Sequence, residues 1–289
     1  MHAIFSCQSE RSRKARQGQH RFAAFTLIEL LVVISIITML TVLLVPTVQR
    51  ARKQAATVVC QSKIRQWGIL FAAQGAVSEE RSIFPVHTDP GGGRYVDWAQ
   101  WPRELERVCG SKIRDSYLCP VASRTDKREI AKASGWSSAM GGTFSAWWLG
   151  PSAKQPDAAE LLGSYTINEL AMGQRVTVDN PHWESIHVKG VASIPFWFDG
   201  AWRGDCMLYN TDSPPAYEDS IEHISQLCMN RHYGGLNYLF LDWSVRRVGL
   251  KEIWTLKWHA LFDTAGPWTK AGGVQPEDWP PWMRRFRDY

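Results

Sequence analysis

Glu29 is the one charge in the 21-residue run FTLIELLVVISIITMLTVLLV, Phe25 to Val45. A carboxylate kept among aliphatic side chains at bilayer-spanning length is costly, so the default reading of its presence is functional. Other residues with chemical potential lie downstream. His232 and Asp242, nine residues apart, are types that can exchange a proton if they meet. On an extended strand that spacing holds them about 30 Å apart, so they read as structural: a histidine bonding the start of a hairpin and an aspartate capping its turn. Asp199 and Asp205 in FDGAWRGD are the candidate calcium carboxylates, weighed against solvated turn residues, and no other cofactor is expected. Six cysteines occur, Cys7, Cys60, Cys109, Cys119, Cys206 and Cys228, with no C-x-x-C pair, which argues against a zinc ribbon. In an oxidising compartment Cys109–Cys119 and Cys206–Cys228 are plausible local bridges, with Cys60 left over; the alternative is a set of buried free thiols. The chain contains no G-x-S-x-G, H-E-x-x-H or phosphate-binding loop, and no catalytic residue is assigned.

The elements that position these residues fall into three zones. Residues 1–24 carry Arg11, Arg13, Lys14, Arg16 and Arg21 against Glu10. Removing those five and that one from the chain's 33 basic and 28 acidic residues leaves 28 and 27, so no basic case for nucleic acid survives the leader. Residues 25–45 are long enough to span a bilayer. They are too long, and too poorly followed by PTVQRARKQ, for an ordinary secretory signal. Beyond Pro46 the helix pattern continues to about residue 77, with Gly75 near its end. Val48, Ala51, Ala55 and Val58 form one apolar stripe; Cys60, Ile64, Trp67 and Phe71 form a second, rotated from the first. Two successive stripes imply two successive partners, of which this chain's own head is the second.

Residues 78–289 read as a mixed head. GSYTIN, IPFWF and LNYLFL have strand character, and RELERVC has helical character. Gly234 and Gly235 make a turn leading into a hairpin over 236–248, and LKEIWTLKWHALF predicts a helix over 250–262 with Leu250, Trp254, Trp258 and Leu261 on one face. Both faces of 236–241 are apolar, which places that strand centrally between two layers. All fifteen Trp lie at or after Trp67. A rival reading is therefore a membrane-anchored envelope protein whose Trp-rich head binds polysaccharide; exposed coplanar Trp rings would favour it.

The stretch AAFTLIELLVVISIITMLTVLLVP closely resembles the amino terminus of type IV pilins and type II secretion pseudopilins. The resemblance implies a leader cut between Ala24 and Phe25 by a prepilin peptidase that also methylates the new amino terminus. It makes Glu29 the fifth mature residue, which in an assembled filament meets the amino terminus of a neighbouring subunit, and Pro46 the helix-bending proline. The segment His232 to Asp242, with Gly234 and Gly235, resembles the His-x9-Asp-Gly motif of large-headed pilin-like proteins of Planctomycetes and related bacteria; Trp243 stands where Gly is usual. The implied fold is α+β: a long amino-terminal helix, transmembrane then amphipathic, laid on an antiparallel sheet. The implied role is a structural subunit of a type II secretion or type IV pilus-like filament. Its partners would be the peptidase, other pilin-like subunits, the secretion or pilus machinery and the membrane. It would cross the inner membrane once, with the amino terminus cytoplasmic before processing and the head in the periplasm. Intact-mass and amino-terminal analysis of the membrane-extracted protein is expected to give a chain starting at N-methylated Phe25; a start at Met1, or a cut beyond Val45, would contradict it.

Overall fold

The computed structural model describes residues 26–77, 87–88, 94–95, 101–151, 156–172, 183, 188–204, 208–220 and 222–289. The expected cleavage pair Ala24 and Phe25 lies outside the described residues, as do Asp205 and Cys206. The chain divides into two units, 1–50 and 51–289.

In the first unit every described residue after Thr26 is helical, the opening part of α1 (Leu27–Val77). Its aliphatic side chains are exposed throughout, from Leu27 to Val45. This is a helix long and apolar enough to cross a membrane. Its few hydroxyls suit such a setting, because each returns to the helix's own backbone. Ser35 donates to the Leu31 carbonyl at 2.7 Å, Thr38 to Ile34 at 2.5 Å and Thr41 to Ile37 at 2.7 Å.

In the second unit the later stretch of α1 presents Cys60, Ile64, Trp67 and Phe71, all buried, while Val58 and Val59 stay exposed. The second stripe thus meets the head, as its spacing implies. Trp67 stacks on Tyr117 at 5.2 Å between ring centroids and 9° between planes, and also touches Trp197. Its indole N–H donates to the Ser116 carbonyl at 3.0 Å. At Gly68 the helix lies so close to the sheet that an added Cβ would fall 2.8 Å from a Leu239 methyl.

The strands are β1 (His87–Thr88), β2 (Arg94–Tyr95), β3 (Ser138–Ala139), β4 (Trp147–Leu149), β5 (Leu161–Gly163), β6 (Tyr165–Ile167), β7 (Pro195–Asp199), β8 (Gly235–Phe240) and β9 (Val245–Gly249). They form antiparallel sheets β1-β2, β3-β4-β5 and β6-β7-β8-β9. The short helices are α2 (Trp101–Cys109), α3 (Asp126–Ala133) and α4 (Pro281–Arg284). The whole is α+β: a long apolar amino-terminal helix followed by antiparallel sheets. Strand β8 is interior and entirely buried. Its alternation splits the core in two. Leu239 joins the α1 cluster with Trp67, Trp101 and Trp197, whereas Leu236, Tyr238 and Phe240 join a second cluster with Trp254, Trp258 and Trp279.

Two local expectations need correction. The helix predicted over 250–262 is a short 3-10 helix, Leu250–Thr255. Leu256 turns extended, and the Lys257 N–H donates to Ser193 rather than to its own helix, so the apolar spacing serves a buried turn. Leu261, expected on the same face as Trp254 and Trp258, is 72% exposed. The hairpin pairs Leu236 with Val248 and Leu239 with Val245. Its turn places Trp243 at φ 64°, a conformation that favours glycine. The indole stands edge-on to Phe196 at 5.9 Å, a ring contact that offsets the backbone strain and that glycine would lack.

Trp67→Ala is expected to destabilise the head by about 3–5 kcal/mol, while Val58→Ala on the exposed side changes stability by no more than about 0.5 kcal/mol. Chemical denaturation of the detergent-solubilised chain checks both.

Candidate functional site

Two places hold polar groups that the packing alone does not require. At the start of α1, Thr26 and Glu29 form a reciprocal cap. The Thr26 backbone N–H and hydroxyl donate to Glu29 Oε2 at 2.8 and 2.9 Å, and the Glu29 N–H donates to Thr26 Oγ1 at 3.2 Å. Glu29 therefore closes the first helical turn as the third residue of a capping box. Pro46 sits inside α1 and brings no N–H for the Val42 carbonyl one turn earlier.

The second place is a buried cluster in the head. Cys60 comes from α1, Cys119 from the loop after the 3-10 helix Ser111–Tyr117, Asp199 from the end of β7 and His232 from the segment before β8. Cys60 Sγ lies 3.4 Å from Asp199 Oδ1, Cys119 Sγ 3.3 Å from His232 Nε2, and His232 Nε2 3.2 Å from Asp199 Oδ2. The surrounding groups bond three of the four members from behind. Thr57 Oγ1 is 3.1 Å from His232 Nδ1, the Tyr165 hydroxyl donates to Cys60 Sγ at 3.4 Å, and the Asn237 N–H donates to Asp199 Oδ2 at 2.8 Å.

Arg231, likewise without exposure, sits 3.4 Å from Asp199 Oδ1 and donates to the carbonyls of Gly142, Thr143, Ser164 and Gly200. A buried guanidinium is tolerable only when paired and saturated in this way. Burial would raise the Asp199 pKa, but His232, Arg231 and the Asn237 N–H hold it below the usual value. Burial would lower that of His232, yet the adjacent carboxylate and Cys119 push it up to about 9. The Cys119 thiol, opposed by burial, is drawn down to about 6 by its bonds to Cys60 and His232 and by the charge of Arg231.

The glycine pair delivers His232 to this cluster. Tyr233 and Gly234 both take positive φ, 56° and 77°, and Asn230 Oδ1 accepts the Gly234 N–H at 2.6 Å. At Gly235 a Cβ would lie 2.5 Å from the Val248 carbonyl oxygen. The His232 N–H donates to the Gly235 carbonyl at 2.9 Å, which fixes the hairpin start through the backbone, while its ring points elsewhere. Its carboxylate neighbour is Asp199, not Asp242. Asp242 is exposed on the hairpin turn, where Oδ1 accepts the Ser244 N–H at 2.9 Å and hydroxyl at 2.6 Å.

The cysteine pairing expected from sequence proximity is not present. Cys109 is an exposed free thiol at the end of α2, while Cys119 is buried beside His232 and Cys60. Helix end and loop turn the two in different directions despite their closeness in sequence. Cys228 is also a buried free thiol; its expected partner, Cys206, lies outside the described residues. Cys60 is free, as the pairing scheme required. Asp199, read from sequence as a turn carboxylate, is instead a wholly buried strand-end residue. Its neighbours are thiols, an imidazole and a guanidinium rather than the oxygens calcium takes. The Trp side chains form the core: Trp67, Trp101, Trp147, Trp148, Trp197, Trp254, Trp258 and Trp279 are buried. Of the described Trp residues only Trp136 is fully exposed, so the described Trp rings do not favour the polysaccharide-binding reading. Arg231 and the cluster around Asp199 escaped the sequence reading. The capping box did not need to, because T-x-x-E before an apolar run is a local signal.

Residues 19–45 match the family model described as the prokaryotic N-terminal methylation motif. The match takes in the end of the basic leader, the expected cut and the apolar run through Val45. It supports a type IV pilin-like protein, and the apolar helix fits a membrane anchor of that class. Such a motif implies processing by a prepilin peptidase and assembly with other pilin-like subunits. No curated protein and no solved structure matches the chain.

Removing the two aspartates is expected to have unequal effects. Asp199→Ala strands the buried Arg231 and is expected to cost about 3–5 kcal/mol of stability. Asp242→Ala removes an exposed turn bond and costs about 1 kcal/mol. Equal denaturation midpoints for the two variants would contradict the placement of Asp199 as the paired buried charge.

Proposed function

We propose that this chain is a structural, non-catalytic subunit of a type II secretion or type IV pilus-like filament, and one of the large-headed pilin-like proteins bearing the His-x9-Asp motif. The observation that carries this reading is the methylation motif over residues 19–45, within which the aliphatic side chains from Leu27 to Val45 are all exposed on one helix. Prepilin peptidase cuts between Ala24 and Phe25 on the cytoplasmic side of the inner membrane and methylates Phe25. The helix anchors the subunit until assembly draws it from lipid, and the head faces the periplasm. The separation of His232 from Asp242, and the burial of His232 away from solvent, support a role without catalysis.

Glu29 then has two successive partners. In the lone subunit it accepts from Thr26. In the filament its carboxylate turns to the amino terminus of a neighbouring subunit, and the apolar surroundings make that pair far better than two lone charges. The neighbour sets the register of one subunit on the next. Glu29→Gln keeps the apolar length and loses only the charge. It is expected to insert into membrane at wild-type levels and to fall at least about tenfold in incorporation into filaments, about 1.4 kcal/mol of lost pairing. Quantitative immunoblotting of membrane and sheared-filament fractions from cells expressing tagged wild type and variant together tests this. Equal incorporation of the two would overturn the assignment of Glu29.

A further inference from the structure

Cys60, Cys119, Asp199 and His232 each present one donor atom to a common space, and all four donors lie within 4.8 Å of one another. A zinc ion binds thiolate, imidazole and carboxylate at about 2.0–2.3 Å, so the corners of its tetrahedron stand about 3.3–3.8 Å apart. With Asp199 Oδ2 as the carboxylate donor, the observed edges are 3.6 Å for Cys60 Sγ to Asp199 Oδ2, 3.3 Å for Cys119 Sγ to His232 Nε2 and 3.2 Å for His232 Nε2 to Asp199 Oδ2. These three edges stand close to coordination spacing, and every other pair of donors lies within 4.8 Å.

We infer that Cys60, Cys119, Asp199 and His232 form a closed structural site for a thiophilic divalent cation, zinc foremost. The inference stands apart from the assembly role and does not depend on it. Two sulfurs, one imidazole nitrogen and one carboxylate oxygen make a four-ligand set of the kind zinc takes, whereas calcium and magnesium want oxygen alone. Every corner is buried, so no position is left open for a substrate, and the site is structural rather than catalytic.

Charge and outer contacts agree with this assignment. A dication, two thiolates and one carboxylate sum to one negative charge, and Arg231 at 3.4 Å from Asp199 supplies the compensating positive charge. Neutrality matters in a place without solvent. Binding takes both cysteines as thiolates and His232 as neutral imidazole, so whatever protons the sulfurs and Nε2 carry leave to solvent, with Nε2 then on the metal and Nδ1–H donating to Thr57 Oγ1. Thr57, Tyr165, Asn237 and Arg231 hold the imidazole, one sulfur and the carboxylate from behind, the outer support that metal ligands show. A Cys60–Cys119 disulfide would use the two sulfurs but would give the converging imidazole and carboxylate no shared task. The bound ion would clamp α1 to three head segments: the loop after Ser111–Tyr117, the end of β7 and the segment before β8.

The test uses the full-length chain, extracted in detergent and purified under reducing conditions without chelator. Elemental analysis is expected to give about one zinc per chain, falling below about a tenth in Cys60→Ser and Cys119→Ser and unchanged in Cys109→Ser and Cys228→Ser, whose thiols lie outside the site. Because the site variants can lose their fold along with the metal, the wild-type chain is also reloaded with cobalt. Sulfur-to-cobalt charge-transfer absorption together with intense tetrahedral d–d bands is expected, and zinc should abolish both. A folded wild-type chain that holds no zinc and gives no such cobalt spectrum would overturn the site. So would a Cys60–Cys119 disulfide in all of the protein alkylated directly from cells.

Discussion

A carboxylate with no exposure must find a donor on every side, and much of this head is arranged around meeting that demand at Asp199. The residue closes β7. Its oxygens take the Asn237 N–H from β8, the guanidinium of Arg231, the imidazole of His232 and the thiol of Cys60 on α1. Arg231 carries the constraint outward, because its remaining donors reach the carbonyls of Gly142, Thr143, Ser164 and Gly200. One buried charge thus ties the helix, two neighbouring strands and the loops at Gly142–Thr143, Ser164, Gly200 and Arg231–His232 to a single point. A mispositioned segment leaves a charge or a donor stranded in the core, which is far more costly than a poor apolar contact.

Aromatic packing fills the space that this charge network orients. The α1 stripe brings Trp67 and Phe71 against Trp197 and Phe196, and the far side of β8 brings Tyr238 against Phe198 and Trp258. With both faces of the central sheet covered, the eight buried Trp rings are spent on the head's interior. The aliphatic side chains between Leu27 and Val45, and the valines at 58 and 59, are exposed apolar surface of α1 among the described residues. A surface of that extent is suited to lipid and to other helices, and in a pilin-like subunit it meets first one and then the other.

The parts legible in the sequence were those with a local cause. Helical spacing separated Cys60, Ile64, Trp67 and Phe71 from the exposed stripe before them, and apolar alternation placed β8 between two layers. Glu29 stood out because it breaks an apolar run. The cluster around Asp199 was illegible for a physical reason: its members lie 59, 80 and 33 positions apart along the chain, so only the tertiary fold makes them neighbours. Closeness in sequence misled for Cys109 and Cys119, because a helix end and a 3-10 helix between them direct one outward and the other into the core. The spacing of Leu250, Trp254 and Trp258 suggested a longer helix, but a backbone bond from Lys257 to Ser193 diverts the chain. Trp243 shows the reverse case. Its side chain argues against a positive φ, yet packing on Phe196 keeps it there.

The most direct measurement of the division of α1 into an assembly surface and a head-bound stripe is photocrosslinking in assembled material. A photoreactive residue at Val42 or at Val58, 66% and 62% exposed, is expected to give covalent ladders of subunits. The same residue at exposed Leu261, on the head, serves as the comparison and is expected to give none from helix to helix. Adducts to lipid alone from Val42, with monomeric protein from Val58, would contradict the assignment of this helix as the surface on which subunits meet.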